Sequence, residues 1–357
     1  MRYFSLIISA TLLCTSLFSQ APKYSNEFLS IGVGARALGM SNSNVANVDD
    51  VTSGYWNPAG LLKVKPDFQL GLMHAEYFAG IAKYDYGAFT TKLDSNNAIG
   101  LSLIRFGVDD IPNTTELIDN DGNIDYNRIT SFSAADYGIL FSYARRMPVK
   151  GLTVGGNFKI IHRVVGSFAK AWGFGIDAAA QYQAEKWQFG ATLRDVTSTF
   201  NAWSYSLSDR TIEVFQATGN EIPQNSIELT LPKLILGGAR KFELPKKFSI
   251  LAELDLDLTF DGMRNVLIKS NPISIDPHFG FEAGYNDLVF LRGGIGNFQT
   301  ITDIEGFNVI TFQPNFGIGL KLKGLAIDYA LTNIGNQSIG LFSNIFSLKI
   351  DINKAPK

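Results

Sequence analysis

Three groups of residues have the types to do chemistry, and each has a simpler reading. In Asp119-Asn-Asp121-Gly122-Asn-Ile-Asp125 the carboxylates are spaced as if to wrap a hard cation, with a glycine for the turn. The full twelve-residue calcium set and its terminal glutamate are missing, so a polar Asp-Gly turn in an exposed loop is the favoured reading. Glu253, Asp255 and Asp257 alternate and therefore share one face of a strand. They form either a cation-lined lumen or an ordinary polar interior wall. Arg36 and the pair Asp49-Asp50 lie in a stretch rich in Gly, Ala, Ser and Asn, where an enclosed charge needs a partner. The three histidines, His74, His162 and His278, have no zinc-ligand spacing. Gly32-x-Gly34 is followed by no GK[ST], and no serine or cysteine sits on a recognisable elbow. No catalytic residue, metal or cofactor is expected, and the chain does not read as an enzyme.

The 357 residues carry a formal net charge of −2, which argues against a nucleic-acid partner. The chain holds 34 Gly and 27 Phe, with a mean hydropathy of +0.07, as expected of a wall that shows apolar side chains to lipid. Residues 1–20 have one early basic residue (Arg2), an apolar run over 5–18 and a polar end, Ser19-Gln20: a secretory signal peptide. The single cysteine, Cys14, lies within it, and Thr11-Leu12-Leu13 lack the small residues of a lipidation site. The mature chain then has no cysteine. No later run is apolar enough for a membrane helix, so a membrane crossing requires a closed barrel.

From Asp67 onward the pattern has period two. Ala252, Leu254, Leu256, Leu258 and Phe260 share one face, and residues 152–160, 172–182, 316–323 and 346–352 alternate in the same way. This predicts an all-β fold, a transmembrane antiparallel β-barrel of about fourteen strands. Tight links (93–97, 147–151, 184–186, 244–247, 285–288, 323–324) alternate with longer ones at 107–131, 197–224, 261–271, 297–306 and 332–343. The short links at 77–81 and 165–167 break that alternation. Pro232 and Pro314 fall inside apparent strands and predict bulges or extracellular extensions of the barrel. The organisation expected is a signal peptide (1–20), an N-terminal plug or hatch (21–66), a barrel (67–352) and a short tail (353–357).

The plug stretch carries a resemblance. Gly32-x-Gly34-Ala35-Arg36-Ala37-Leu38-Gly39-Met40, then Ala46-x-x-Asp49-Asp50-x-Thr52-x-x-Tyr55-Trp56-Asn57-Pro58-Ala59-Gly60-Leu61, resembles the N-terminal signature of the PorV/PorQ family of Bacteroidota outer-membrane proteins. That family lies within the FadL-like barrel group. The resemblance implies fourteen strands, a hatch inside the lumen and an outer-membrane location. It implies no catalysis. FadL itself moves hydrophobic molecules through a lateral opening. PorV-like members serve the type IX secretion system, where PorV binds the C-terminal domain of cargo and carries it from translocon to sortase. PorQ-like members anchor a surface partner. Ala37-Leu38-Gly39-Met40 and Gly60 after Asn57-Pro58-Ala59 depart from PorV proper and point to a paralogue.

The expected partners are outer-membrane lipid and other surface or outer-membrane proteins: type IX translocon or sortase subunits, or cargo C-terminal domains. Loops 107–131 and 197–224 would present the contact surface, with Phe106, Leu117, Ile118, Phe200, Trp203 and Tyr205 as apolar anchors. Packing of these loops on one another is the competing reading. The alternative function is a FadL-like transporter, with Phe28, Leu29, Leu38, Met40 and Leu61 lining an apolar pocket between hatch and wall. An accessory barrel of another large outer-membrane complex would need the same plug.

Overall fold

Alternating apolar and polar side chains can bury their backbone polar groups in a membrane only by pairing every strand edge. The computed structural model, which describes residues 25–119, 122–302, 305–332 and 342–353, closes that circuit. In chain order the strands are β1 (Phe68–Tyr77), β2 (Ala82–Lys92), β3 (Asn97–Asn113), β4 (Thr130–Arg146), β5 (Leu152–Val165), β6 (Ala169–Ala184), β7 (Trp187–Arg194) and β8 (Thr199–Tyr205). They continue as β9 (Ser226–Thr230), β10 (Lys233–Leu244), β11 (Phe248–Thr259), β12 (Ser274–Tyr285), β13 (Val289–Thr302), β14 (Asn308–Leu322), β15 (Leu325–Thr332) and β16 (Ser343–Ile352). Neighbours are antiparallel, and β1 pairs with both β2 and β16 to close the ring.

The described strands form fourteen staves. β7 and β8 both lie along β6, the first on Ala178–Ala184 and the second on Ala169–Phe174. β9 and β10 continue this arrangement, β9 against β8 and β10 against β7. Two staves are thus each broken once, the second at Leu231-Pro232. Proline has no N–H for a ladder, which is why the break falls there. Pro314 instead stays in register opposite Ile295, next to the shift between Gly296 and Gln299.

Outward positions are apolar for most of the circuit: Leu254, Phe279, Phe281, Phe316, Ile318 and Phe346 are all exposed. Inward positions are small or polar. Aromatics Tyr143, Tyr182, Trp187, Phe248 and Tyr285 stand near the short-turn end, as an interfacial girdle requires.

Three expected loops contain strand. β3 runs on to Asn113 and β4 starts at Thr130, so the 107–131 link shrinks to 114–129. The 197–224 link holds β8 and a helix, Asp209–Ala217, and β13 extends to Thr302. In each case β-strand continues beyond the lipid belt, where alternation no longer needs an apolar face and so leaves no pattern to read. The leader and most of 332–343 lie outside the described residues.

Candidate functional site

Residues 25–64 turn back into the barrel and are almost wholly buried. The segment is a series of short turns: Glu27–Ser30, Ala35–Gly39, Ser53–Trp56 and Pro58–Lys63. It cannot satisfy its own backbone, so the wall does so. Asp255 accepts from the Asn44 and Val45 amides at 2.8 and 3.0 Å, and Glu253 from the Ala46 amide at 2.7 Å. Gln69 takes the Val51 amide at 2.6 Å and Ser347 that of Ala35 at 2.7 Å. The acidic face seen in sequence is therefore a rack for plug amides. Asp257, the third acid, pairs with Lys233.

Asn57-Pro58-Ala59-Gly60 is a local cap with a reach to the wall. Asn57 accepts from the Ala59 amide at 3.1 Å through its side-chain oxygen, and Pro58 starts the following turn without an N–H to waste. The same side chain donates to the carbonyls of Val45 and Ala180, each at 3.0 Å. Trp56 donates from Nε1 to the Val33 carbonyl at 2.9 Å. At Gly60 a Cβ would lie 2.5 Å from the Val48 carbonyl, and at Gly39 3.0 Å from the Cα of wall residue Gly317.

Arg36 begins a chain of alternating charges that ties plug to wall. It meets Glu282 at 2.9 Å and Asp49 at 3.2 Å; Glu282 meets Arg292 at 2.6 Å, and Arg292 meets Asp328 at 2.7 Å. Lys349 then bridges Asp328 (3.2 Å) to Asp50 (2.8 Å), back on the plug. Four strands, β12, β13, β15 and β16, each supply one member. Burial would raise the Asp50 carboxyl, but Lys349 and Arg36 outweigh it and hold it well below the usual range. A second anchor is Arg194, which donates to the carbonyls of Leu29 (2.9 Å) and Tyr55 (3.2 Å) and lies over the Tyr55 ring.

Among the described residues, hollows open beside this seal and at the long-loop end. A vestibule of about 680 Å³ above the plug mixes Phe28, Leu38 and Phe106 with Asp136, Arg163, Asp257 and His278. A cavity of about 880 Å³ opens beside the broken staves, lined by Leu29, Lys159, Arg194, Ile227, Leu229 and Met263. A third, of about 400 Å³, lies at the long-loop end, where Phe132, Phe168, Trp203, Tyr205 and Phe215 form an apolar groove.

The plug residues named from sequence meet in one assembly. The six loop candidates do not. Trp203 and Tyr205 stack at 6.1 Å beside the groove, with Arg163 over the Trp203 ring. Phe106 points inward against Tyr84, whereas Phe200 faces outward beside Phe174. Ile118 is exposed, bridged to Ile124, and its carbonyl accepts from Arg210. Leu117 accepts from the Asp125 amide in the same turn. Of the transporter candidates, Leu29 lines the 880 Å³ cavity, Phe28 and Leu38 line the vestibule, and Met40 and Leu61 are fully buried elsewhere. Asp119 and Asp125 cap local amides at Asn123 and Asn127; Asp121 lies outside the described residues. Sequence reading missed Glu282, Arg292, Asp328 and Lys349. Their signal was a charge at an inward-parity position of each strand.

Known structures resemble this fold closely in coverage and weakly in sequence. The Pseudomonas putida toluene transporter TodX superposes with a TM-score of 0.58 at 13% identity, covering 90% of this chain and 98% of its own. The CymD monoaromatic hydrocarbon channel gives 0.56 at 12%, covering 93% and 100%, and a Pseudomonas aeruginosa FadL homologue 0.53 at 12%, covering 89% and 98%. These likenesses show the fold alone, that of a FadL-like barrel. A comparison with curated proteins returned no match. The family profile of PorV, described as a type IX secretion system protein, matches residues 21–201, just over half of the chain and the stretch that includes the whole plug. The chain belongs to the PorV family of outer-membrane β-barrels.

Proposed function

We propose that this barrel is a non-enzymatic platform of type IX secretion or cell-surface attachment that binds cargo or partner proteins at its long-loop end. The observation that carries the reading is the groove between the loop after β3 and the loop around β8, where Trp203, Tyr205, Phe132, Phe168 and Phe215 converge. These five aromatics are half-buried along the groove, and large aromatics are the usual anchors of protein recognition. The plug supports it too: hydrogen bonds and ion pairs from many staves lock it in place, which suits a platform better than a pore. The test is binding of a C-terminal sorting domain to the purified barrel in nanodiscs. Wild type should bind, Trp203→Ala should weaken binding at least tenfold, and Phe316→Ala on the opposite outer wall should leave it unchanged. Equal binding by all three would refute the assignment of the groove.

The alternative is transport of hydrophobic small molecules, favoured by the 880 Å³ cavity beside β9, whose Ile227, Leu229 and Leu231 are exposed. A toluene-sized ligand that co-purifies and is lost on Leu229→Trp would favour it.

A further inference from the structure

The outer wall is not equally apolar around its circumference. On β11, which starts at Phe248, the outward residues Leu254, Leu256 and Leu258 are all apolar. On β1, which starts at Phe68, the positions at the same distance from the short-turn end as Leu254 and Leu256 are His74 and Glu76. β2 and β3 continue the departure with Lys83, Asp85, Arg105 and Asp109. Six to eight residues along a tilted strand rise about 15–20 Å, which lies inside an apolar band of about 25 Å. These side chains are exposed: 50% for His74, 55% for Glu76 and 43% for Asp85. They form one network. Asp85 meets His74 at 2.7 Å and Arg105 at 3.4 Å; Asp109 meets Lys83 at 3.5 Å and Arg105 at 3.6 Å. Tyr137, His162 and Trp172 extend the same cross-strand row as stacked rings.

Below this row the wall is hollow. Gly87 presents no side chain between Leu72 and Leu103, and the resulting groove of about 900 Å³ is bounded by Leu72, Leu103, Ile139 and Phe346. Lipid chains offer no hydrogen bonds to ionised groups at that depth, so charge on a lipid face is costly. A phosphorylated lipid headgroup is a poor fit, because three carboxylates outnumber Lys83 and Arg105.

We infer that the β1–β3 wall is covered by a second integral outer-membrane protein, one that sets hydrogen-bonding or cationic side chains against the Glu76–Asp85–Asp109 row and an apolar protrusion into the groove over Gly87. This interface is separate from the aromatic groove at the loop end and does not rest on it.

The test places a photo-crosslinking residue at Leu72, Gly87 or Leu103, and at Leu254 or Phe279 as the opposite wall, in the full chain within its native outer membrane. One discrete adduct with another barrel protein is expected from the first three sites only, with a reciprocal adduct when the crosslinker is placed on that partner. It should fall at least tenfold in Asp85→Leu/Arg105→Leu, which removes both charges of a pair. Gly87→Trp, which fills the groove and keeps every charge, should abolish it while heat-modifiable mobility reports a folded barrel. Lipid adducts in equal yield on both walls, or an adduct with a second copy of this chain, would overturn the inference.

Discussion

Arg36→Met tests how the plug is held. Arg36 makes two bonds to Glu282, at 2.9 and 3.1 Å, and one to Asp49 at 3.2 Å, with its own side chain largely enclosed. Breaking a buried pair costs about 3–5 kcal/mol, because the surviving charge is left stranded. Glu282 keeps Arg292 at 2.6 Å, so the cost belongs at the lower end, about 3 kcal/mol. At 1.4 kcal/mol per tenfold, the plug's detachment equilibrium should rise by roughly two orders of magnitude. Hydrogen–deuterium exchange on the purified full chain reads this directly. Amides of residues 34–62 that exchange through detachment should speed up about 100-fold, while amides of β11–β14 hold their rates. Plug exchange within about threefold of wild type would refute the idea that the charge chain secures the plug. Acceleration of plug and strands together would mean that Arg36 supports the barrel as a whole.

Asp255→Ala strands two buried amides at Asn44 and Val45 and should loosen the plug by about 2–4 kcal/mol, seen as faster proteolysis within 40–50. Asp255→Asn keeps an acceptor and should come close to wild type. Gly190→Leu should expel the plug while the barrel still forms, since a Cβ there would lie 2.4 Å from the Val45 carbonyl; single-channel conductance should rise. The Asp50 carboxyl is held below its usual range, so its contribution is complete above the ordinary aspartate value of about 3.9 and is lost as pH falls through the lower folded value. The share of plug protection due to Asp50, read as the difference between wild type and Asp50→Asn, should therefore be flat from pH 7 to about pH 4 and shrink only below; a shrinkage near pH 6 would contradict the Asp50–Lys349 bridge.

The barrel was legible because lipid imposes a binary rule: Leu254, Leu256 and Leu258 must face out, and Glu253 and Asp255 must face in. The plug was legible because Gly39, Gly60 and Asn57-Pro58 are dictated by close approach and local capping. Beyond the membrane the rule lapses. The strand extensions to Asn113 and Thr302 and the helix at Asp209–Ala217 lie where either face is tolerated, and nothing in the alternation marks them. The break of one stave at Asp195–Ser198 has no proline to announce it. The wall's share of the charge chain was hidden for another reason. Glu282, Arg292, Asp328 and Lys349 come from four strands, and only the barrel's register brings them to one place. Trp203 and Tyr205 could be picked out as large aromatics, but Phe106 and Phe200, with the same chemistry, face the lumen and the outer wall.

The platform reading is tested most directly by recovering a tagged copy from its native outer membrane in mild detergent and identifying by mass spectrometry what stays bound. The prediction is stoichiometric type IX translocon or sortase subunits, or proteins bearing the C-terminal sorting domain, with Trp203→Ala reducing the yield of the loop-bound partner. A solitary barrel carrying fatty acid or another hydrophobic small molecule would contradict it and move the function to transport.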